Sequence, residues 1–479
     1  MKILFVEDNE GFAGDLQPIL LEIPGVEQVI NVQDLEAARK ALDDDLIDLI
    51  VLDLSIPSGA DSDAPDPAHG QTLFYEAQKR HPGTPIFILT GSEADKFSRQ
   101  LARYGNQVRL WGDKTQIETV SYFLKEEVDE LVARVTAVAG CFGRMDAVAI
   151  NTRMRDLGLT PVQKRMLKSY ANSVDCVACD VSLLSGGLSD AKVVKATAVD
   201  GARKPQALCA GKLGSRSIVQ QEKEAYEAHV RKLGVGACPA LFSVVEDGVG
   251  QSAAIFYTLT DQDTLSFFER LAADVTVGKK VVTHVRTSLA RWSEAATAGM
   301  ALIRDVRRRL VADDVAESLY QKHDLEDLKS VEDVPIQVSQ SCIHGDLHCG
   351  NVLVKSGGEA VLIDFGDAGP GYTVMDPIAL ELSLVFHPDA AKCGLREKLM
   401  DQLEDWLDEG KFVGTSGLGP MVGACREWAH DVAGGDLAVL AAAFSYAFRQ
   451  LKYETVPTDV TIKFLRMLAE RIRGATSGA

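Results

Sequence analysis

The chain has 479 residues, of which 46% are hydrophobic and 25% charged, with a formal net charge of −19. That length exceeds one ordinary hydrophobic core and predicts two or three domains. No apolar run approaches the roughly 20 residues a membrane helix needs, and an acidic surface of this size repels phosphate backbones, which argues against nucleic-acid binding.

The start, "MKILFVEDNE", ends its apolar run in acids with no cleavage-site pattern behind it, so it reads as a first strand and the expected location is cytoplasmic. From there short apolar strands alternate with amphipathic helices. The series runs "KILFVED", a helix to about Ile23, "VEQVINV", "DLEAARKALDD", "IDLIVLDLS", "FYEAQKRH", "PIFILTGS", "ADKFSRQLARYG" and "QVRLWGDK". A long last helix follows from Gln116 to about Ala139. Five strand–helix repeats predict an α/β domain whose parallel sheet is covered on both faces. Ligands of such sheets collect at the carboxyl ends of the strands. Glu7 and Asp8 follow the first strand there, Asp53 the third, Thr90 the fourth and Lys114 the fifth. Converging carboxylates suit a hard cation such as Mg²⁺, and a lysine with a threonine hydroxyl can hold phosphate oxygens.

Through "VEDN", "VLDLSIP", "ILTG" and "GDK", residues 1–135 resemble the receiver domain of two-component response regulators, a flavodoxin-like (βα)5 fold. The resemblance implies that Asp53 is the phosphoacceptor and that Glu7, Asp8 and Asp53 hold Mg²⁺. It makes Thr90 and Lys114 the phosphate sensors, and places Trp111, three residues before Lys114, where the family has its switching aromatic. A sensor histidine kinase is the implied phosphodonor, and dimerisation on phosphorylation is a further implication. Two departures stand out: the long acidic segment "SGADSDAPDPAHG" beside Asp53, and Thr115 where a proline commonly follows the lysine.

Residues 136–175 read as a linker with one clear helix, "TPVQKRMLKSYANSV", capped by Thr160 with Pro161 at its first position. One helix without a basic recognition partner does not make a DNA reader. Nine scattered cysteines, an odd number, argue against a disulfide framework. Cys176 and Cys179 form a single Cys-x-x-Cys in a strand-like segment, with no second pair to complete a zinc site. Next, "LLSGGLSDAKVV" is strand, glycine turn and strand. Gly186 and Gly187 there could let backbone N–H groups approach nucleotide phosphates. Lys212 ends the next strand, and Glu222 on the following helix is its chosen partner, with Glu224 and Lys195 as rivals that spacing does not exclude. "ALFSVVEDG" and "SAAIFYTLTD" close this lobe near Thr260.

Further on, "CIHGDLHCGNVLV" precedes "EAVLIDFGDAG", with Asp346 five residues before Asn351 and Asp364 thirteen after it. Phosphoryl transfer needs a carboxylate at the acceptor hydroxyl, and an amide and a second carboxylate holding Mg²⁺ against the phosphates. "HGDLHxxN" with "IDFGDAG" resembles the kinase-like phosphotransferases of the aminoglycoside phosphotransferase and choline kinase group, over about residues 176–470. This resemblance implies ATP as donor, Asp346 as catalytic base, Asn351 and Asp364 as Mg²⁺ ligands, and Lys212 with Glu222 as the phosphate-holding pair. His344 and His348 would shape the loop, and Asp376 would brace it. Gly345 stands where protein kinases carry arginine, and no "APE" follows, so control by a phosphorylated activation loop is not expected.

The expected architecture is therefore a receiver domain at 1–135, a helical linker at 136–175, and a bilobal kinase-like α+β domain with its lobes at 176–260 and 261–479. The acids of "EKLMDQLEDWLDEG", read as a helix, would suit a cationic acceptor or only face solvent. Expected overall is a response regulator whose ATP- and Mg²⁺-dependent phosphotransferase, acting on an unidentified small-molecule or protein acceptor, is gated at Asp53. The alternative is a pseudokinase, or nucleotide-sensing relay, that signals by protein contact.

Overall fold

The computed structural model describes residues 1–60, 64–91, 106–153, 156–185, 191–233, 238–454 and 457–477. Lys2–Val6, Gln28–Val32, Leu49–Leu52, Ile86–Thr90 and Val120–Leu124 form a parallel sheet, with the first strand between the second and third and the last two following in order. Strand alternation sends Ile3, Phe5, Val51 and Phe87 into one core with Leu16, Leu20, Leu131 and Val135. Leu4, Ile50, Leu52 and Ile88 enter the opposite core with Leu35, Leu42, Leu73 and Phe74. Each such side chain contributes about 1.5–3 kcal/mol when buried, so both faces need helices. Glu10–Glu22 and Val128–Asp146 cover one, Leu35–Asp44 and Pro67–Arg80 the other.

The fifth strand differs from expectation. "QVRLWGDK" contributes only Gln107–Val108, paired antiparallel with Ile117–Glu118. It then turns through Trp111 and Gly112, whose φ angles are 52° and 74°. The true strand is "VSYFL", Val120–Leu124, and the helix starts at Val128 rather than Gln116. The acids and apolar residues of "KEEVDELVARV" carry a helical period that masked the strand before them. The expected boundary at residue 135 falls inside the helix Val128–Asp146.

The chain divides into two compact units: Met1–Leu183, Ser189–Val219 and Leu241–Thr258 make the first, and Leu184–Leu188, Gln220–Ala240 and Leu259–Ala479 the second. Beside the parallel sheet, the first unit contains a six-stranded sheet in the order Leu241–Val245, Ser252–Thr258, Pro205–Ser215, Lys192–Val199, Ala178–Ser185, Ala149–Asn151. The helix Pro161–Asn172, capped by Thr160 with a reciprocal Gln163 bond, packs its Tyr170 on Phe256 with ring centroids 4.4 Å apart. Cys176 and Cys179 lie in this core, and burial pushes the Cys179 thiol up to about 12, the opposite of a redox-active thiolate.

In the second unit, two three-stranded sheets sit among helices that include Gly278–Ser293, Met375–Phe386, Gly419–Val432 and Asp436–Gln450. The segment read as one acidic helix is instead two 3-10 turns, Arg396–Lys398 and Met400–Asp405, and a short helix at Glu409–Val413. Among the described residues no helix is long and apolar enough to cross a membrane.

Candidate functional site

Two clusters of chemistry-bearing side chains stand out, one in each unit. In the first, Glu7 and Asp8 follow strand Lys2–Val6 and Asp53 follows Leu49–Leu52, and carboxylate oxygens of all three lie within 4.8 Å of one another. This is a donor set that fits a hard divalent cation. The lysine that reaches them is Lys125, directly after the true fifth strand. Its Nζ is 2.7 Å from both Glu7 Oε1 and Asp53 Oδ2, and its backbone N–H donates to the Thr90 carbonyl at 2.9 Å. Burial pushes the Glu7 carboxyl up, against the pull of Lys125. Burial also opposes the Lys125 charge, but the two carboxylates overcome it and raise the ammonium pKa.

Lys114 is not in this cluster: it pairs with Asp175 at 2.6 Å in solvent, its side chain 73% exposed. Trp111 is likewise elsewhere, buried against Phe142 with its indole N–H donating to the Gly248 carbonyl at 3.0 Å. The three-residue spacing that singled out Trp111 leads, counted from Lys125, to the half-buried Tyr122. On the receiver resemblance, in which Asp53 takes phosphate from an acyl-phosphate donor, Lys125→Ala is expected to cut that uptake at least about tenfold, the worth of one charge-assisted hydrogen bond. Lys114→Ala should leave uptake unchanged, and the reverse result would make Lys114 the phosphate sensor that the resemblance implies.

In the second unit, strand Pro335–Ile343 leads into the loop carrying Asp346 and Asn351, and the hairpin Val352–Val354 with Ala360–Leu362 delivers Asp364. Asp376, buried at the start of helix Met375–Phe386, accepts from the His344 N–H at 2.8 Å and the Gly345 N–H at 3.1 Å. Gly345 has φ 83°, and a Cβ there would sit 2.4 Å from the Asp367 carbonyl oxygen, so this position excludes an arginine. The Asn351 amide nitrogen donates to the Asp346 carbonyl at 2.9 Å, which leaves the amide oxygen for a cation. Asp364 adopts a left-handed φ of 64°, uncommon for a residue with a side chain. The His344 ring donates from Nε2 to the Ile363 carbonyl at 3.1 Å, and His348 Nδ1 accepts from the Gly350 N–H at 3.1 Å. Both rings thus hold the loop's shape. Asp376→Ala would leave the buried His344 N–H and the part-buried Gly345 N–H without their acceptor, and a loss of about 3 kcal/mol is expected in chemical denaturation.

One functional neighbour had no sequence signal: Arg449, 103 residues beyond Asp346, donates from Nη1 to Asp346 Oδ1 at 2.9 Å. Burial would raise the Asp346 carboxyl, but the His348 ring and the Arg449 guanidinium outweigh it and bring it down to about 2. Burial keeps His348 below the ordinary imidazole value, so near neutrality Arg449 is the cation that keeps Asp346 ionised.

Lys212 is buried on strand Pro205–Ser215 in the first unit, while Glu222, fully buried, lies on the second-unit part of helix Arg216–Ala228. The rival Lys195 sits on strand Lys192–Val199, and Glu224 is bonded to Gln220 at 2.8 Å. The same helix touches the "DFG" segment, as Gln221 Nε2 donates to the Gly366 carbonyl at 2.9 Å. Gly186 and Gly187 lie outside the described residues.

Residues 219–391 match the family model described as "Phosphotransferase enzyme family". No curated protein matches the chain. Among solved structures, the receiver domain of a Francisella response regulator is similar at 20% identity, covering 29% of this chain and 96% of that one, with a TM-score of 0.22. Glucosamine kinase, solved with glucosamine, ADP and inorganic phosphate, is similar at 14% identity over 67% of this chain and 89% of its own, TM-score 0.39. A thermostable aminoglycoside phosphotransferase, solved with ADP and hygromycin B, is similar at 14% identity over 62% and 93%, TM-score 0.35. The chain joins a five-stranded parallel α/β fold to a segment, residues 219–391, that matches the phosphotransferase family model and carries Asp346, Asn351 and Asp364.

Proposed function

We propose that this chain is a response regulator whose output is an ATP-dependent phosphotransferase, gated by phosphorylation of Asp53. The observation that carries the catalytic half is the joint placement of the loop: Asp376 fixes its entry, Asn351 is tied to the Asp346 carbonyl, and Asp346 is held ionised by Arg449. Asp346 orients the acceptor hydroxyl and takes its proton as the phosphoryl group is transferred. Asn351 and Asp364 are the residues that would hold Mg²⁺ there, as Glu7, Asp8 and Asp53 would at the receiver, and a bound cation neutralises phosphoryl charge at either site. Lys212 and Glu222 take the phosphate-holding roles on sequence grounds, and a sensor histidine kinase is the phosphodonor.

Packing inside the first unit supports the gating half. The turn between strands Leu241–Val245 and Ser252–Thr258 is seized by the parallel-sheet domain. Gly248 receives the Trp111 bond and donates to the Pro82 carbonyl at 3.2 Å, and Gln251 Nε2 donates to the Lys79 carbonyl at 3.0 Å. Strand Ser252–Thr258 in turn sets Ile255 opposite Lys212. The lever is thus Val128–Asp146 and this turn, replacing the helix expected from Gln116. A phosphate on Asp53 biases the output only by its differential contacts in two receiver states, typically worth about 1–3 kcal/mol.

The test is γ-labelled ATP with Mg²⁺, added with the purified protein to a cell extract, with and without an acyl-phosphate donor and with an Asp53→Ala control. Label should move to a discrete acceptor, to an extent that changes with the donor only when Asp53 is intact. Nucleotide binding without transfer would instead identify a nucleotide-sensing relay.

A further inference from the structure

A cavity of about 400 Å³ opens beside Asp346 within the second unit, lined by Arg309, Arg449, Lys452, Asp367, Gly345 and Met375 among others. Three of these side chains are cations. Asp367 in the lining and Asp346, bound to Arg449, offset two of these charges, so the group keeps one net positive charge beside Asp346. This is the reverse of the chain as a whole, which carries −19. The acids of 397–410, which would suit a cationic acceptor, are absent from the lining.

Position adds to charge. Arg309 is tethered through its guanidinium to the Pro370 carbonyl, so its charge is held at the pocket. A guanidinium offers five N–H donors in a planar fork suited to carboxylate or phosphate, and Asp346 accepts from one on Arg449. An anionic group on the same guanidinium would set a neighbouring hydroxyl against Asp346. The volume suits a small molecule.

We infer that the acceptor is a small hydroxylated molecule bearing an anionic group, a carboxylate or a phosphate, recognised by Arg309, Arg449 and Lys452. The inference rests on the proposed phosphotransferase reading. In the transfer, the acceptor O–H proton passes to Asp346 as the new O–P bond forms. The bond from the γ-phosphorus to its bridging oxygen breaks, ADP leaves with that electron pair, and the proton is then lost to water.

The experiment titrates the full-length protein calorimetrically with gluconate and glucose 6-phosphate as anionic probes, glucose as neutral and glucosamine as cationic. At least one anionic probe should bind about tenfold more tightly than glucose and glucosamine. Lys452→Ala and Arg309→Ala should each weaken it several-fold to about tenfold without changing ATP binding, the scale of a lost charge-assisted bond. Preference for gluconate or for glucose 6-phosphate separates carboxylate from phosphate recognition. Equal or tighter binding of glucose or glucosamine, no binding of either anion, or variants that bind anions normally would each overturn the inference. The same probes are then offered γ-labelled ATP. Label on glucosamine alone would keep the phosphotransferase and discard the anionic acceptor. Charge-dependent anion binding with no label transfer to any acceptor would keep the anion pocket and discard the phosphotransferase.

Discussion

Asp346→Asn is expected to lower phosphoryl transfer by about 10²- to 10⁴-fold, the range for removal of a positioned acid–base group, with ATP affinity little changed. The substitution preserves shape and the bond accepted from Arg449, so the loss isolates the carboxylate's charge. Because His348 and Arg449 outweigh burial and bring that carboxyl down to about 2, it is a weak base. On the proposed reading its first task is therefore orientation, and it takes the proton only after the hydroxyl has begun to bond to phosphorus. The same depression fixes the pH behaviour. A carboxyl whose folded value lies below its ordinary 3.8 stabilises the fold above 3.8 and loses that contribution as pH falls through about 2; the shift is worth roughly 2 kcal/mol. No acid limb of the rate profile above about pH 4 should therefore belong to Asp346. An ADP-release assay over pH 5–9 checks both points, and a variant retaining a third of the activity would remove Asp346 from the base role.

The second large effect concerns the ion pair between Arg165 and Asp48. Arg165 Nη1 lies 2.6 Å from Asp48 Oδ1, with side chains 13% and 1% exposed. Arg165 comes from the helix between the two sheets of the first unit and Asp48 precedes strand Leu49–Leu52, so the pair joins the sheets' domains. Arg165 also donates to the Gly248 carbonyl at 3.3 Å and covers the Phe142 ring at 5.2 Å. Arg165→Ala should destabilise the protein by about 3–5 kcal/mol, because it leaves a buried carboxylate without its cation. Burial already outweighs Arg165 and raises the Asp48 pKa. A carboxyl raised on folding contributes stability at low pH and loses it as pH rises through the folded value. The variant's deficit should accordingly shrink as pH falls toward the raised Asp48 value, where the carboxyl takes up a proton. Urea denaturation of the variant and the parent across a descending pH series measures this. In the same variant, Asp53 phosphorylation should no longer change ATP turnover; retained gating would place the transmission elsewhere.

Legibility of the fold followed local period. Strands such as "KILFV" and "LIVL" are continuous apolar runs closed by acids, and they were placed correctly with Glu7, Asp8 and Asp53 at their ends. The fifth strand was hidden because "VSYFL" runs straight into a helix-period segment, while "QVRLW" has an alternation that its left-handed turn contradicts. One signal could have corrected this: Lys125 follows its apolar run directly, as Asp53 does. The loop that carries Asp346 and Asn351 was legible because its spacing is short-range. Arg449 was not, because it meets Asp346 only after helix Asp436–Gln450 is packed, and no local pattern records a contact made across 103 residues.

The bond from Trp111 to Gly248 spans 137 residues, and that separation bears on how the protein is made. During synthesis at about 5–20 residues per second, Trp111 waits roughly 7–27 seconds for the turn that accepts its indole N–H. Arg165 reaches Asp48 only after the first 54 of those residues, and until the last of them the Gly248 carbonyl has not arrived and the six-stranded sheet lacks its completed final hairpin. A nascent chain stalled before residue 258 would therefore present an incomplete docking face to chaperones and proteases. Slow translation across 165–258 lengthens the time for which that docking face stays incomplete.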